Sequence, residues 1–163
     1  MRIEEEIKLD YSDVLFRPKR STLKSRSEVN LKRKYKFKYS KLNWEGVPII
    51  GSNMDGVGEV GVASKLASFS MMTALTKQHG DEEIYNLQKN KFIHNYVALS
   101  CGTSKESYSR LNYLLKKNPK FKFICIDVAN GYSENFSSFL SQVRKKYPKK
   151  TIIAGNVVTA DMT

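Results

Sequence analysis

From Val47 onward, short runs of consecutive apolar residues alternate with longer stretches in which apolar residues recur every three or four positions. The runs are VPIIGS, SMMTAL, NYVALSCG, KFICIDVA and TIIAGNVV, starting near residues 47, 70, 95, 122 and 151, a period of roughly 23 to 29 residues. Between them lie GEVGVASKLASF, DEEIYNLQKNKF, KESYSRLNYLLKKN and SENFSSFLSQVRKKY, each with helical spacing. Tyr108, Leu111, Leu114 and Leu115 form one stripe, and Phe136, Phe139, Leu140 and Val143 another, with Ser133 placed as the N-cap of the last helix. The second helix opens with Asp81, Glu82 and Glu83, acids where a helix N-terminus favours them.

The apolar runs are continuous rather than alternating. That pattern predicts strands buried on both faces, hence a parallel sheet with helical crossovers. A repeated βα unit builds either a doubly wound sheet or a (β/α)8 barrel. SNMDGVGEVG, after the first strand, lacks the glycine spacing of a dinucleotide-binding turn. The expected fold is therefore an α/β (β/α)8 TIM-barrel, here a partial barrel of five parallel strands and four helices. Residues 1–46 are expected to be an irregular basic segment and 47–163 to hold βα units one to five of a single barrel domain. Such a barrel needs eight units and typically ~250 residues. Thr159 reads as the N-cap of a helix not contained in the chain, so the expectation is an N-terminal part of a longer barrel.

In both folds function collects at the carboxyl ends of the strands. Those ends read Ser52-Asn53-Met54-Asp55, Thr76-Lys77-Gln78-His79, Ser100-Cys101-Gly102-Thr103, Asp127-Val128-Ala129-Asn130-Gly131 and Gly155-Asn156. This is a polar ring of the kind a phosphate or nucleotide site needs, and Asp127 is expected to face its mouth. Each residue also has a plainer reading. Asp127 and Asn130 can form an Asx-turn, and Lys77 can be a solvated loop lysine. His79 and His94 lack partners at metal spacing. Cys125, inside a strand, reads as core; Cys101, at a strand end, has no legible thiolate-stabilising neighbour.

Composition narrows the classes. Hydrophobic residues make up 40% and charged residues 27%, a globular balance, and no run approaches a membrane span. The acidic start MRIEEEIKLDY lacks the apolar core of a signal peptide, and two cysteines make no disulfide framework, so a cytoplasmic setting is expected. The net charge is +12, but 21 of the 28 basic residues are lysine. Base-edge recognition leans on arginine, which favours a solvated lysine surface over specific nucleic-acid binding.

LDYSDVLFRPKRSTLKSRSEVNL, GVPIIGSNMDGVG, CIDVANGYSENF and IIAGNVVT together resemble the N-terminal half of GMP reductases, in the (β/α)8 family they share with IMP dehydrogenase. The resemblance runs from about Lys8 to Met162; Asn53 stands where IMP dehydrogenase carries proline, and Gly56 where many reductases carry threonine. It implies NADPH-dependent reductive deamination of GMP to IMP and ammonia in purine nucleotide salvage, by a homotetramer. It further implies that Ser25 and Arg26 contact the NADPH phosphate region, that Lys77 lies near the cofactor in a supporting proton network, and that Asp127, Val128 and Ala129 line the cofactor site. Met54 and Asp55 would border the substrate nucleotide. The family's nucleophilic cysteine and its monovalent-cation (K+) site fall beyond residue 163, so this stretch by itself is expected to be inactive. An IMP dehydrogenase-like oxidoreductase, a non-catalytic half-barrel module and a basic nucleic-acid-associated domain are the alternatives.

Overall fold

The computed structural model describes Glu5, Ile7 and residues 9–162. The ends of the expected 1–163 span, and Lys8 where the resemblance begins, lie outside the described residues. The chain divides into two units, residues 1–30 and 31–163. In the first, two single 3-10 turns are each fixed by their own polar caps. Asp10 and Asp13 exchange side-chain bonds around Tyr11–Asp13, and Ser25 accepts from the Ser27 N–H at the start of Arg26–Glu28.

The second unit opens with an antiparallel hairpin, β1 (Arg33–Lys36) and β2 (Asn43–Gly46). This corrects the expectation of an irregular segment through residue 46. Its strands are short and polar, so their alternation is weak, and what holds them is tertiary. Trp44 donates to the Asn95 carbonyl (2.9 Å), Tyr96 donates to the Glu45 carbonyl (2.9 Å), and Phe37 meets Phe123 edge-on at 5.8 Å.

Five parallel strands follow: β3 (Ile50–Gly51), β4 (Met72–Ala74), β5 (Val97–Cys101), β6 (Phe123–Asp127) and β7 (Thr151–Gly155). Helices α1 (Val60–Ser68), α2 (Asp81–Leu87), α3 (Lys105–Lys117) and α4 (Glu134–Lys146) connect them in turn. The strands lie in the sheet in sequence order. A doubly wound sheet reverses its order at a switch point; this one never reverses, which is the topology of a barrel wall. Ser133 caps α4 as expected, its hydroxyl accepting from the Phe136 N–H at 3.2 Å. Phe136, Phe139 and Val143 are buried, as are Leu111, Leu114 and Leu115 on α3. The acid-rich second helix is shorter than its pattern suggests, ending at Leu87 before a 3-10 turn at Ile93–Asn95. Thr159 precedes a further 3-10 turn at Ala160–Met162.

The two-residue period of a strand sorts side chains between two cores. Val97, Leu99, Cys101, Ile124 and Ile126 face the helices. Ala98, Phe123 and Cys125 face the concave side, where Trp44, Phe37 and Leu42 of the hairpin region cover them. Burying each large apolar side chain is worth about 1.5–3 kcal/mol, so the central strands are anchored from both faces.

Helix α1 ends in a Schellman arrangement: the Met71 N–H donates to the Leu66 carbonyl and the Ser70 N–H to the Ala67 carbonyl, with Ser70 at φ 60°. A left-handed non-glycine residue costs ~1 kcal/mol, partly offset in a glycine variant by the freer unfolded chain. Ser70→Gly is therefore expected to raise the thermal midpoint by about 2 °C, and Ser70→Val to lower it, in parallel calorimetric melts; a lower midpoint for the glycine variant would contradict this account of the turn.

Candidate functional site

Parity decides where Asp127 points. It is the last residue of β6, two positions beyond Cys125 and four beyond Phe123, so it shares their concave face. At the strand end the apolar cover stops and a cavity of about 370 Å³ opens. Ser52 and Asn53 line it from the β3 side, Asp127 from β6, and Gly155 and Asn156 from β7.

Lys77, three residues beyond β4, reaches across to Asp127. Its Nζ lies 2.9 Å from the Asp127 Oδ2 and donates to the Asp127 backbone carbonyl at 3.0 Å. Asn53 lines the same cavity and also favours the ionised form of this carboxylate. Burial works to raise the Asp127 pKa, but the bond from Lys77, the effect of Asn53 and the Lys77 charge outweigh it and hold the carboxyl below its ordinary value. The position of Asn53 is also a statement about shape. Two strands separate β3 from β6, and in a flat sheet the gap would be about 14 Å; that residues at both strand ends line one cavity requires the sheet to curl.

The loop that carries Lys77 is fixed from below. Buried His79 donates through Nε2 to the Gly58 carbonyl (2.8 Å) and presents Nδ1 to Glu83 (3.3 Å), with Glu59 3.6 Å from Nε2. Arg110 donates to the His79 carbonyl. The Thr76 N–H donates to the same Gly58 carbonyl at 3.0 Å. A Cβ on Gly58 would lie 2.8 Å from the Ala74 carbonyl oxygen and 2.9 Å from the Thr76 nitrogen, so only glycine permits this approach. His79 is thus a clamp on the loop. Backbone bonding to Gly80, then the bond to His79, holds the Glu83 pKa below its ordinary value.

The remaining residues singled out in the sequence separate. The Asx-turn exists, but Asn130 makes it, its Oδ1 accepting from the Tyr132 N–H at 2.9 Å; Asp127 is free of that duty. Gly131 then donates to the Asn156 carbonyl (2.9 Å), at a distance a side chain would close, since a Cβ would stand 2.7 Å from that oxygen. Val128 packs toward the helix-side core and exchanges backbone bonds with Gly155 and Asn156. Ala129, Met54 and Asp55 are exposed and do not line the cavity. The Met54 carbonyl accepts from Val57 and Gly58. Ser25 and Arg26 belong to the other unit, where both are exposed and Ser25 bonds Ser27.

Cys101 and Cys125 are buried on opposite faces of the sheet. Burial, and secondarily Cys125, pushes the Cys101 thiol up to about 12; burial likewise raises Cys125. Neither is a nucleophile at neutral pH. Among the described residues no group of three or more His, Cys, Asp or Glu could hold a metal ion, and no helix is long and apolar enough to cross a membrane.

Comparison with known proteins bears directly on this arrangement. The IMP dehydrogenase / GMP reductase domain profile matches residues 8–163. The chain belongs to that family. It is 50% identical over 164 residues to a GMP reductase from Klebsiella pneumoniae and 51% identical to GMP reductases from Enterobacter sp. and Escherichia coli. Each alignment covers 99% of this chain and 47% of the relative, so the chain spans about half the length of the curated relatives it matches. The crystal structure of inosine 5' monophosphate dehydrogenase from Legionella pneumophila superposes with a TM-score of 0.71 at 28% identity, covering 91% of this chain and 44% of that one.

The influence of Asn53 on Asp127 was not anticipated from the sequence. A polar residue at a strand end was visible, but only curvature brings β3 and β6 together.

Asp127 is stabilised as a carboxylate in the folded state, so its contribution is present above the ordinary value near 3.8 and is lost as the pH falls through its lowered folded value. Lys77→Met should raise the Asp127 pKa in a carboxyl-carbon NMR titration. Because the Lys77 and Asp127 side chains are 42% and 32% exposed, the neutral-pH stability should change by less than about 1 kcal/mol. An unmoved Asp127 titration would show that Lys77 does not set it.

Thiol chemistry provides a second check. At pH 8 the native protein should react with a disulfide reagent at least about tenfold more slowly than the urea-unfolded chain. Fast modification of Cys101 in the native state would contradict its placement.

Proposed function

We propose that this chain forms the N-terminal part of the barrel of a GMP reductase, which deaminates GMP reductively to IMP and ammonia with NADPH. The observation that carries the reading is the Lys77–Asp127 pair at the mouth of the strand-end cavity, in a chain about half identical to GMP reductases. The lower identity to the inosine monophosphate dehydrogenase, 28%, favours the reductase over the dehydrogenase reading.

The donor set suits a nicotinamide nucleotide. An ammonium beside a carboxylate complements the carbonyl and N–H groups of a carboxamide, and Asn53 and Asn156 add amide dipoles on the same rim. In this reading Asp127, with the adjoining Val128 and Ala129, orients the cofactor, and the exposed guanidinium of Arg26 with Ser25 grips its phosphates. Met54 and Asp55, exposed at the β3 end, would border the purine nucleotide. NADPH would supply the hydride. Lys77 carries three N–H donors, two of which are spent on Asp127; the third can hold a proton at the amine that leaves. Asp127 keeps Lys77 on the concave side. The nucleophile is neither Cys101 nor Cys125, whose thiols are buried and neutral. No residue of this chain is assigned to K+. The same resemblance supports a homotetramer in the cytoplasm, acting in purine nucleotide salvage.

The test uses the full-length enzyme. Asp127→Asn preserves shape and capping capacity but removes the charge, and is expected to lower kcat/KM at least tenfold, about 1.4 kcal/mol, with little change in melting temperature. Arg26→Ala should chiefly raise the KM for NADPH, since a phosphate contact serves ground and transition states alike. Unchanged kinetics in Asp127→Asn would return that residue to a structural role, and absence of GMP-dependent NADPH oxidation in the unmodified enzyme would remove the reading altogether.

A further inference from the structure

Two segments of the chain nearly repeat one another. Lys116-Lys117-Asn118-Pro119-Lys120 closes α3, and Lys145-Lys146-Tyr147-Pro148-Lys149 closes α4. Their cap residues share one backbone conformation, φ −126° and ψ 65° at Asn118 and φ −122° and ψ 61° at Tyr147. Each cap N–H returns to the carbonyl four residues earlier, Leu114 or Val143. The loops lead into β6 and β7, which are paired neighbours, so the two copies lie side by side at the end of the sheet opposite the cavity.

The loops are also tied to each other. Lys150 donates to the carbonyls of Pro119 and Phe121 in the first copy, and Arg144 donates to those of Pro148 and Lys150 in the second. With Lys122 and Lys150 the pair carries eight lysines, and residues 111–122 and 143–150 contain no Asp or Glu. Among the described residues no carboxylate pairs with any of the eight. Helix-dipole complementation, worth about 0.3–1 kcal/mol each, accounts for lysines in the last turns of α3 and α4. It does not account for Lys120, Lys122 and Lys149, which stand beyond the helices, whereas Lys150 is spent on the Pro119 and Phe121 carbonyls. Their field reaches inward: burial, then the charges of Lys122 and Lys120, lowers the pKa of His94.

The surface between the copies is concave. Two adjoining hollows of about 470 and 390 Å³ share Lys146 and Tyr147. Lys120 and Lys149 line the first, and Tyr113 and Lys116 the second. The ammoniums of Lys117 and Lys146 lie 5.8 and 5.9 Å from the centroids of the Tyr113 and Tyr147 rings. Lysines flanking aromatic rings in a groove match a strand that offers a phosphate backbone and stackable bases. A membrane surface would instead call for apolar side chains projecting from the basic face, and base-specific reading would call for arginine forks.

We propose that this groove binds single-stranded nucleic acid without base specificity, independently of the strand-end cavity. The test is fluorescence anisotropy with labelled 12-residue oligouridylate and oligothymidylate on the full-length protein. If about four phosphates are neutralised, log K should fall against log salt with a slope of about −3 between 50 and 200 mM KCl. Lys120→Gln/Lys149→Gln should weaken binding about tenfold in 100 mM salt, whereas Lys65→Gln/Lys89→Gln, the same charge change on α1 and in the turn after α2, should weaken it less than twofold. Tyr113→Leu should weaken oligonucleotide binding severalfold and leave inorganic polyphosphate binding unchanged. The RNA and DNA arms identify which strand is preferred, and either preference supports the groove. No saturable binding at 50 mM KCl, equal losses in the two lysine pairs, an unchanged oligonucleotide affinity in Tyr113→Leu, or tighter binding to duplex or to phosphatidylserine vesicles would each overturn it.

Discussion

Two-sided burial of the central strands governs the rest of this structure. Because β5 and β6 are covered by helices on one face and by the hairpin on the other, their apolar positions are each committed to one of two cores. A shift of one residue in register would exchange those commitments, sending Phe123 toward the helices and Ile124 into the concave core. The alternation therefore fixes the register, and the register fixes which strand-end residue opens into the cavity. Asp127 faces the cavity for the same reason that Cys125 and Phe123 face the concave core.

Curvature is the second consequence. The concave side mixes compact residues, Ala74, Ala98 and Cys125, with the larger Met72 and Phe123, while Leu99, Ile124 and Ile126 fill the outer radius beneath the helices. The wrap brings the β3 and β6 ends around one cavity and lets the loop after β4 reach Asp127. Asn53, Lys77 and Asp127 thus form one cluster although 74 positions separate the first from the last. The cluster costs little to maintain, since the ion pair is partly solvated and its loop is held by His79 and Gly58.

The two ends of the sheet carry different chemistry. At the carboxyl ends the charges are paired and set in a cavity. At the amino ends lysines are repeated, unpaired with carboxylates among the described residues, and arranged around tyrosines. A barrel wall allows this division because loops at one end can change without disturbing those at the other. The high net charge of the chain is thus not spread evenly over a solvated surface.

The sequence by itself determined the βα rhythm, the parallel sheet, the helix faces and the family, because continuous apolar runs and helical stripes are local consequences of burial. It also placed Ser133 at its cap and the candidate residues at strand ends. It did not reveal the hairpin at residues 33–46, whose strands are polar and are stabilised by Trp44 and Tyr96 contacts made about fifty residues away in the chain. Nor could it divide the roles of Asp127 and Asn130, which share one loop and similar turn chemistry. Only the folded sheet gave Asp127 to Lys77 and the turn to Asn130, since side-chain direction depends on register and curvature, and both are settled by contacts between strands rather than within them.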